Sequence, residues 1–304
     1  MAGPTGLGVA SWADASTPAA AQPLLKWVGG KSQLLPHLLK HVPLEFGRYH
    51  EPFLGGGALF FWIASTGAFA LAKKRGAVLG DANARLIETY VTVRAMPSAV
   101  VKELQGHALH HRRQGDAHYY RVRKAINRKV EHDAVGAAAA FIYLNRTCWN
   151  GVWRVNKDGA FNVPAGKYKN PTIADSDRIC RVADMLEHAE LHAGRWQHVL
   201  AAGAPERGDV VYFDPPYLPI SATANFTGYT SDKFDLTAHE LLATSAHQLA
   251  ERGVKVILSN SDTPLARKLY KGPGLRILKV RAGRSISCKG DQRAQVGELL
   301  VVSR

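Results

Sequence analysis

The stretch Arg48–Ala64, RYHEPFLGGGALFFWIA, decides the fold. It reads as a strand, a glycine turn and a helix, with Gly55, Gly56 and Gly57 at the point where the backbone changes direction. Glycine at such a junction lets a ligand approach the main chain closely. Downstream, GAVLGDANARLIETYVTVR repeats the pattern, as a second strand ending at Asp81 and then another helix. A βαβα opening of this kind predicts a mostly parallel sheet covered by helices.

Upstream, KSQLLPHLLKHV carries leucines at helical spacing and predicts a short helix interrupted by Pro36. From about Ala84 to Leu144 the chain turns helical and polar, with basic stretches such as YYRVRKAINRK. Next comes GVWRVNKDGAFNVPAGKYKNP, where Asp158-Gly159 lies between β-prone runs and marks a tight hairpin turn. Sheet character resumes in AELHAG, DVVYFDPPY, VKVILSN and GELLVV. The expected organisation is a flexible tail over 1–22 and an α/β domain built from 23–83 and 173–304. A helical insertion over 84–172 interrupts it and ends in a basic hairpin. No internal repeats are evident.

Composition narrows the function. The 304 residues carry a formal net charge of +14, a balance that favours polyanions because each cation placed on a phosphate releases counterions. Cys148, Cys180 and Cys288 are few, odd in number and widely spaced, which suggests neither a disulfide framework nor a zinc knuckle and fits a cytoplasmic setting. HALHH, His107 to His111, has no carboxylate or cysteine at ligand spacing and reads as a solvated helix face. The apolar run AAAAFIYL is too short to span a bilayer, and the tail lacks the basic residues of an export signal.

Gly30-Lys31-Ser32 raises the possibility of a phosphate-binding loop, and DVVYFD that of a magnesium-binding strand. The spacing excludes it. The position five before Gly30 is Leu25, and Trp27 and Val28 would crowd phosphates out of the turn. DPPY, Asp214 to Tyr217, serves a different purpose at the end of the strand VVYF. Two prolines stiffen a loop at the strand's carboxyl end, where open α/β sheets bind ligands. The loop offers a carboxylate, carbonyls and an aromatic ring, a set suited to an exocyclic amine on a stacked base.

In order, KWVGGK, EPFLGGG, GDAN, YLNRTCWNGVWRVNKDGAFNVPAGKYKNP, DPPYLPISATANFTGY, ILSNSDT and RSISCKGDQRAQVGELLV resemble the bacterial Dam family of DNA adenine-N6 methyltransferases. That resemblance covers nearly the whole chain after the tail. It implies a Rossmann-like methyltransferase sheet with an inserted target-recognition domain, S-adenosylmethionine as methyl donor, double-stranded DNA as partner, and action as a monomer without metal or ATP. By the same resemblance Trp27, Lys31, Asp81 and Asp214 contact the donor, with Pro52, Phe53, Gly55 and Gly57 of the glycine turn beside it. A flipped adenine would stack on Tyr217 while Asp214 and the Pro215 carbonyl hold its amino hydrogens.

Target reading is expected in the hairpin. Arg154 suits guanine, Val152 and Pro164 suit thymine methyls, and Lys26 the outer guanine. Trp149 replaces a tyrosine common in the family and suits a wedge into the vacated stack. Lys167 replaces a frequent arginine and suits a phosphate. Asn150, Tyr168 and Asn225 complete the expected DNA contacts. The implied site is GATC. Three alternatives compete: cytosine-N4 methylation, usually marked by serine where Asp214 stands; RNA methylation; and a catalytically inactive DNA-binding relative.

Overall fold

The computed structural model describes residues 22–31, 33–69, 76–128, 133–219, 234–281 and 297–304. The tail through residue 21, Asn225 with most of its loop, and Cys288 lie outside the described residues.

Seven strands form one sheet. They are β1 (Tyr49–Glu51), β2 (Ala77–Asp81), β3 (Ala189–Ala193), β4 (Val210–Phe213), β5 (Lys255–Ser261), β6 (Leu275–Arg281) and β7 (Gly297–Ser303). Their order is β3-β2-β1-β4-β5-β7-β6. The first five run parallel, and β7 enters antiparallel between β5 and β6. The order reverses at β1 and β4, so the carboxyl ends of these two strands flank the crevice where such sheets bind ligands. β4 is buried along its whole length, as an apolar run covered on both faces must be. β6 (LRILKVR) is a strand the sequence reading passed over; three of its seven residues are basic, as suits a sheet edge.

Ten helices accompany the sheet among the described residues: α1 (Leu35–Leu39), α2 (Ala58–Ser65), α3 (Ala84–Ala95), α4 (Pro97–Gln114), α5 (Asp116–Ile126), α6 (Ala134–Thr147), α7 (Ser176–Leu186), α8 (Trp196–Gly203), α9 (Leu236–Glu251) and α10 (Pro264–Tyr270). Pro36 starts α1 rather than interrupting it, since its missing N–H costs nothing in the first turn. α2 follows Gly57, whose φ of 66° ends the glycine turn, and buries its first six residues. α3 packs on β2 and β3 and also on α6 and α7. One buried apolar cluster therefore runs from the sheet into the helices of 84–147.

The hairpin differs in detail from its expected form. It closes through two isolated antiparallel bridges, Cys148↔Ala165 and Val155↔Phe161. Its tip is a longer loop in place of a two-residue Asp-Gly turn: the Gly159 N–H bonds to the Asn156 carbonyl, and Gly159 has φ 76°. The Asn156 side-chain oxygen takes the Asp158 and Ala160 N–H groups, which stabilises this wider geometry.

Candidate active site and DNA-facing turn

β4 ends at Phe213, and the next residue, Asp214, stands over the crevice. Its Oδ2 lies 2.8 Å from Lys31 Nζ, and its Oδ1 accepts from Ser259 Oγ at 2.8 Å. The Tyr212 hydroxyl lies 3.1 Å from the same Ser259 oxygen. Burial pushes the Asp214 carboxyl up, and Lys31 and Ser259 pull it back. Lys31 Nζ also lies 4.8 Å from the centre of the Tyr217 ring, so acid, cation and ring form one cluster. The Tyr217 hydroxyl donates to Glu298 Oε2 at 3.2 Å. Leu218 N–H is held by Asn260 Oδ1 at 3.0 Å, which fixes the loop beyond the prolines.

The donor-side residues meet around the glycine turn. Gly55 has φ 49°, and a Cβ there would fall 2.6 Å from Trp27 Cδ1, so the indole packs directly on glycine backbone. Asp81, at the end of β2, accepts from Gly55 N–H at 2.9 Å and from Asn83 N–H at 2.8 Å. Pro52 is buried beside the turn. Phe53 faces a second aromatic group, with ring centroids 6.4 Å from Trp196 and 5.7 Å from Phe234. Lys31 spends one N–H on Asp214 and another on the Gly29 carbonyl, which leaves a third for a ligand carboxylate. Drawn inward to Asp214, this lysine is not presented to a phosphate as a phosphate-binding loop would require.

A fixed carboxylate at Asp81, a lysine at the glycine turn and a close-approach backbone fit the ribose and methionine ends of S-adenosylmethionine. Glu51, which the sequence reading did not single out, is buried at the end of β1. Burial pushes its carboxyl up to about 8 despite the Tyr49 hydroxyl at 2.8 Å, and the Asp214 charge adds to the rise.

On the other side of Trp27 lies the expected DNA-reading group. Lys26 is exposed, with Nζ 4.2 Å from the Tyr168 ring centre. Trp149 is 42% exposed at the head of a short 3-10 turn, Trp149–Gly151, and Asn150 beside it takes φ 53°. Trp149 N–H bonds to the Pro164 carbonyl at 2.9 Å, joining the two arms of the hairpin. Arg154 is exposed and donates Nε to Asn162 Oδ1 at 2.9 Å, a bond that does not use its two terminal NH2 groups. Pro164 and Lys167 are exposed; Val152 is half-buried against the core. α5 braces this arm through Tyr119 Oη and Arg123, which both donate to the Val163 carbonyl.

HALHH is only in part the expected solvated face: Leu109 and His110 are exposed, while His107 and His111 are half-buried. His107 Nδ1 lies 3.0 Å from His118 Nε2, its ring stacks on Tyr143 at 4.8 Å, and His111 Nδ1 lies 2.8 Å from the Tyr143 hydroxyl. Burial lowers His107 and His118 to about 4, so both are neutral parts of the helix packing. Among the described residues no group of three or more His, Cys, Asp or Glu could hold a metal ion, and no helix is long and apolar enough to cross a membrane. Ser259, Asn260 and Glu298, which touch Asp214, Leu218 and Tyr217, are not among the residues expected from the sequence. Their signal was polarity inside the apolar strands VKVILSN and GELLVV.

A family model for the D12 class N6 adenine-specific DNA methyltransferases matches residues 27–286. The chain is 36% identical over 285 residues to the type II methyltransferase M1.LlaDCHI of Lactococcus lactis, covering 93% of this chain and 95% of the relative. It is 38% identical over 295 residues to the type II methyltransferase M.MjaIII of Methanocaldococcus jannaschii, covering 93% and 99%. It is 35% identical over 279 residues to a DNA adenine methylase of Vibrio cholerae, covering 91% and 94%.

Proposed function

This chain belongs to the D12 class N6 adenine-specific DNA methyltransferases, and from that premise we propose that it methylates adenine in GATC after swinging the base out of the duplex. Adenine-N6 methylation of DNA follows from membership; the site sequence, the flipping and the residue roles are our reading. The observation that carries the roles is Asp214, held at the carboxyl end of β4 by Lys31 and Ser259 and set beside the Tyr217 ring.

Adenine N6 is unreachable inside a stacked duplex, so the base must leave the helix to meet Asp214. The Asp214 carboxylate and the Pro215 carbonyl accept its two amino hydrogens, which draws electron density onto the nitrogen lone pair. Tyr217 stacks on the ring and limits its rotation. Asp81 would hold the ribose hydroxyls of S-adenosylmethionine, Lys31 its carboxylate, and Trp27 with Pro52, Phe53, Gly55 and Gly57 would shape the rest of the pocket. When bound, that molecule supplies an electrophilic methyl on a sulfonium sulfur. The protein's contribution is orientation and fixed charge, with no covalent intermediate on the chain and neither metal nor ATP required.

GATC rests on Arg154, whose terminal nitrogens match guanine O6 and N7, and on the neighbouring Val152, Pro164 and Lys26. Trp149 would fill the stack left by the adenine, with Asn150, Tyr168, Lys167 and Asn225 alongside. A short palindrome also lets a monomer treat each strand in turn. Base-resolved methylation mapping of DNA from cells expressing the protein tests the site directly. Methylation confined to adenines of GATC is expected, and methylation mainly at other adenines would overturn the site while leaving the family unchanged.

A further inference from the structure

Between the donor side and the recognition turn sits a side chain with no role so far. Asn145, near the end of α6, is fully buried, 119 positions from the residue it grips. Its Oδ1 accepts the Lys26 N–H at 2.9 Å, and its Nδ2 donates to the Lys26 carbonyl at 2.7 Å. The same Nδ2 donates to the Gly151 carbonyl at 3.2 Å. One carboxamide thus pairs with both main-chain groups of Lys26, as a strand neighbour would, and with the end of the Trp149–Gly151 turn. Arg146, the next residue, donates to the Leu24 carbonyl and holds the same segment two residues earlier.

The opposite side is closed as tightly. Gly151 has φ 64°, and a Cβ on it would lie 2.5 Å from Lys26 Cβ. Residues 24–26 therefore run in a slot between α6 and the turn, fastened on one side and closely packed on the other. From that slot the Lys26 side chain leaves over the Tyr168 ring, and the residues before Gly151 are the exposed Trp149 and Asn150. Hydrogen bonds to base edges tolerate only a few tenths of an ångström, so the relative placement of these groups decides which bases they can read.

We infer that Asn145 is a positioning residue for target discrimination, locking Lys26 and the Trp149–Gly151 turn into one reading surface. The inference rests on the reading of Lys26 and that turn as DNA-facing. A purely structural amide would alter stability alone. A positioning amide alters the ratio of activities on right and wrong sites in protein that remains folded.

The experiment compares kcat/KM on duplexes carrying the mapped target with duplexes in which only its outer base pair is changed. Wild type, Lys26→Ala, Asn145→Ala, Asn145→Ser and Asn145→Asp would be measured, each checked by circular dichroism and thermal melting. We expect folded Asn145→Ala to lose roughly tenfold in discrimination, within the range of one base contact. Asn145→Ser, which fills part of the space and keeps a hydroxyl, carries the comparison if the alanine variant does not fold.

Asn145→Asp gives the sharper readout. Its carboxylate would face two carbonyl oxygens and repel them, whereas a protonated carboxyl can accept from one Lys26 group and donate to the other as the amide does. Its discrimination should therefore recover as pH is lowered from about 8 to about 6, while the wild-type ratio stays flat. Folded Asn145 variants with wild-type ratios at every pH, beside a Lys26→Ala enzyme that has lost discrimination, would overturn the positioning role alone. An unchanged ratio in Lys26→Ala would instead show that Lys26 reads no base, and the inference would fall with that reading.

Discussion

The strand DVVYFD has an aspartate at each end, and the two lead different lives. At the amino end, Asp209 Oδ1 accepts the Arg48 N–H at 2.7 Å and Oδ2 accepts the Glu206 N–H at 3.0 Å, with His50 Nε2 also 3.0 Å away. Gly47 passes so close that a Cβ there would lie 2.3 Å from Asp209 Oδ1. At the carboxyl end, Asp214 is held by two side chains, Lys31 and Ser259. A carboxylate paired with backbone N–H groups of neighbouring segments is committed to the fold. One held by an ammonium and a hydroxyl of side chains can exchange partners with a ligand without breaking a backbone contact. The same residue type is therefore a fastening at one end of the strand and, in the proposed reading, the group that meets the substrate at the other.

The sharpest way to break this contrast is to remove each acid in turn. Asp214→Ala should cost at least about a hundredfold in turnover, the scale of a lost electrostatic contact at a reacting centre, while its melting temperature falls less than that of Asp209→Ala. Asp209→Ala should do the reverse. It orphans two backbone donors and a histidine, at about 3 kcal/mol, and should lower the melting temperature by about 5 °C. A melting temperature lowered more by Asp214→Ala than by Asp209→Ala would dissolve the distinction.

The lower end also carries a pH signature. Burial lowers His50, against the opposing pull of Asp209, so the fold prefers the neutral ring. A group whose folded value lies below its unfolded value near 6.5 supports the fold fully above that value and loses its contribution as pH falls. Melting temperature should therefore decline from about pH 7 to about pH 5, and His50→Gln should flatten part of that decline. The His107, His118 and His239 rings, each lowered to about 4, act in the same direction, while Glu51, pushed up to about 8, acts in the opposite one and regains stability as pH falls.

Discrimination, as distinct from turnover, is tested at Arg154. Its Nε bond to Asn162 orients the guanidinium, so Arg154→Ala should remove roughly 1–3 kcal/mol of discrimination at one guanine. Unchanged preference across substituted duplexes would remove Arg154 from the reading surface. Asn162→Ala, which frees the guanidinium without deleting it, should give a smaller loss in the same direction.

Much of this is legible in the sequence itself. Apolar runs ending in acids announced β2 and β4, and the glycine turn announced the crossover between β1 and α2. Local chemistry was enough there because each signal lies within a few residues. The partners of Asp214 were not legible in the same way. Ser259 and Glu298 reach it or its tyrosine across 45 and 81 positions, and only the pairing of β5 with β4 and β7 brings them near. Asn145 is hidden for the same reason. His107 and His111 turn inward against His118 of α5 and Tyr143 of α6, which their own helix pattern does not announce.

Tyr217 tests a finer point at the upper end. Tyr217→Ala removes the stacking ring and should approach the Asp214→Ala loss. Tyr217→Phe keeps the ring but deprives Glu298 of a donor, and should cost a few-fold, the scale of one modest hydrogen bond. Glu298→Gln retains an acceptor and should cost less still. A Tyr217→Phe enzyme as poor as Tyr217→Ala would make the hydroxyl, rather than the ring, the working part.

The smallest expected effect is at Lys167, and it separates holding DNA from reading it. The residue is exposed on the hairpin's second arm, one position from Gly166, whose N–H bonds to the Thr147 carbonyl at 2.8 Å. Its backbone is thereby anchored while its side chain remains a flexible point charge, suited to a phosphate and poorly suited to a base edge. A phosphate contact contributes through counterion release, so its loss should weaken binding to all duplexes alike. In Lys167→Ala the slope of log affinity against log salt should fall in magnitude by about one, with the ratio between cognate and substituted duplexes unchanged. Arg154→Ala should change that ratio. Titrations of both variants at several salt concentrations would show the two signatures side by side, and a Lys167→Ala enzyme with altered site preference and an unaltered slope would place Lys167 among the base readers.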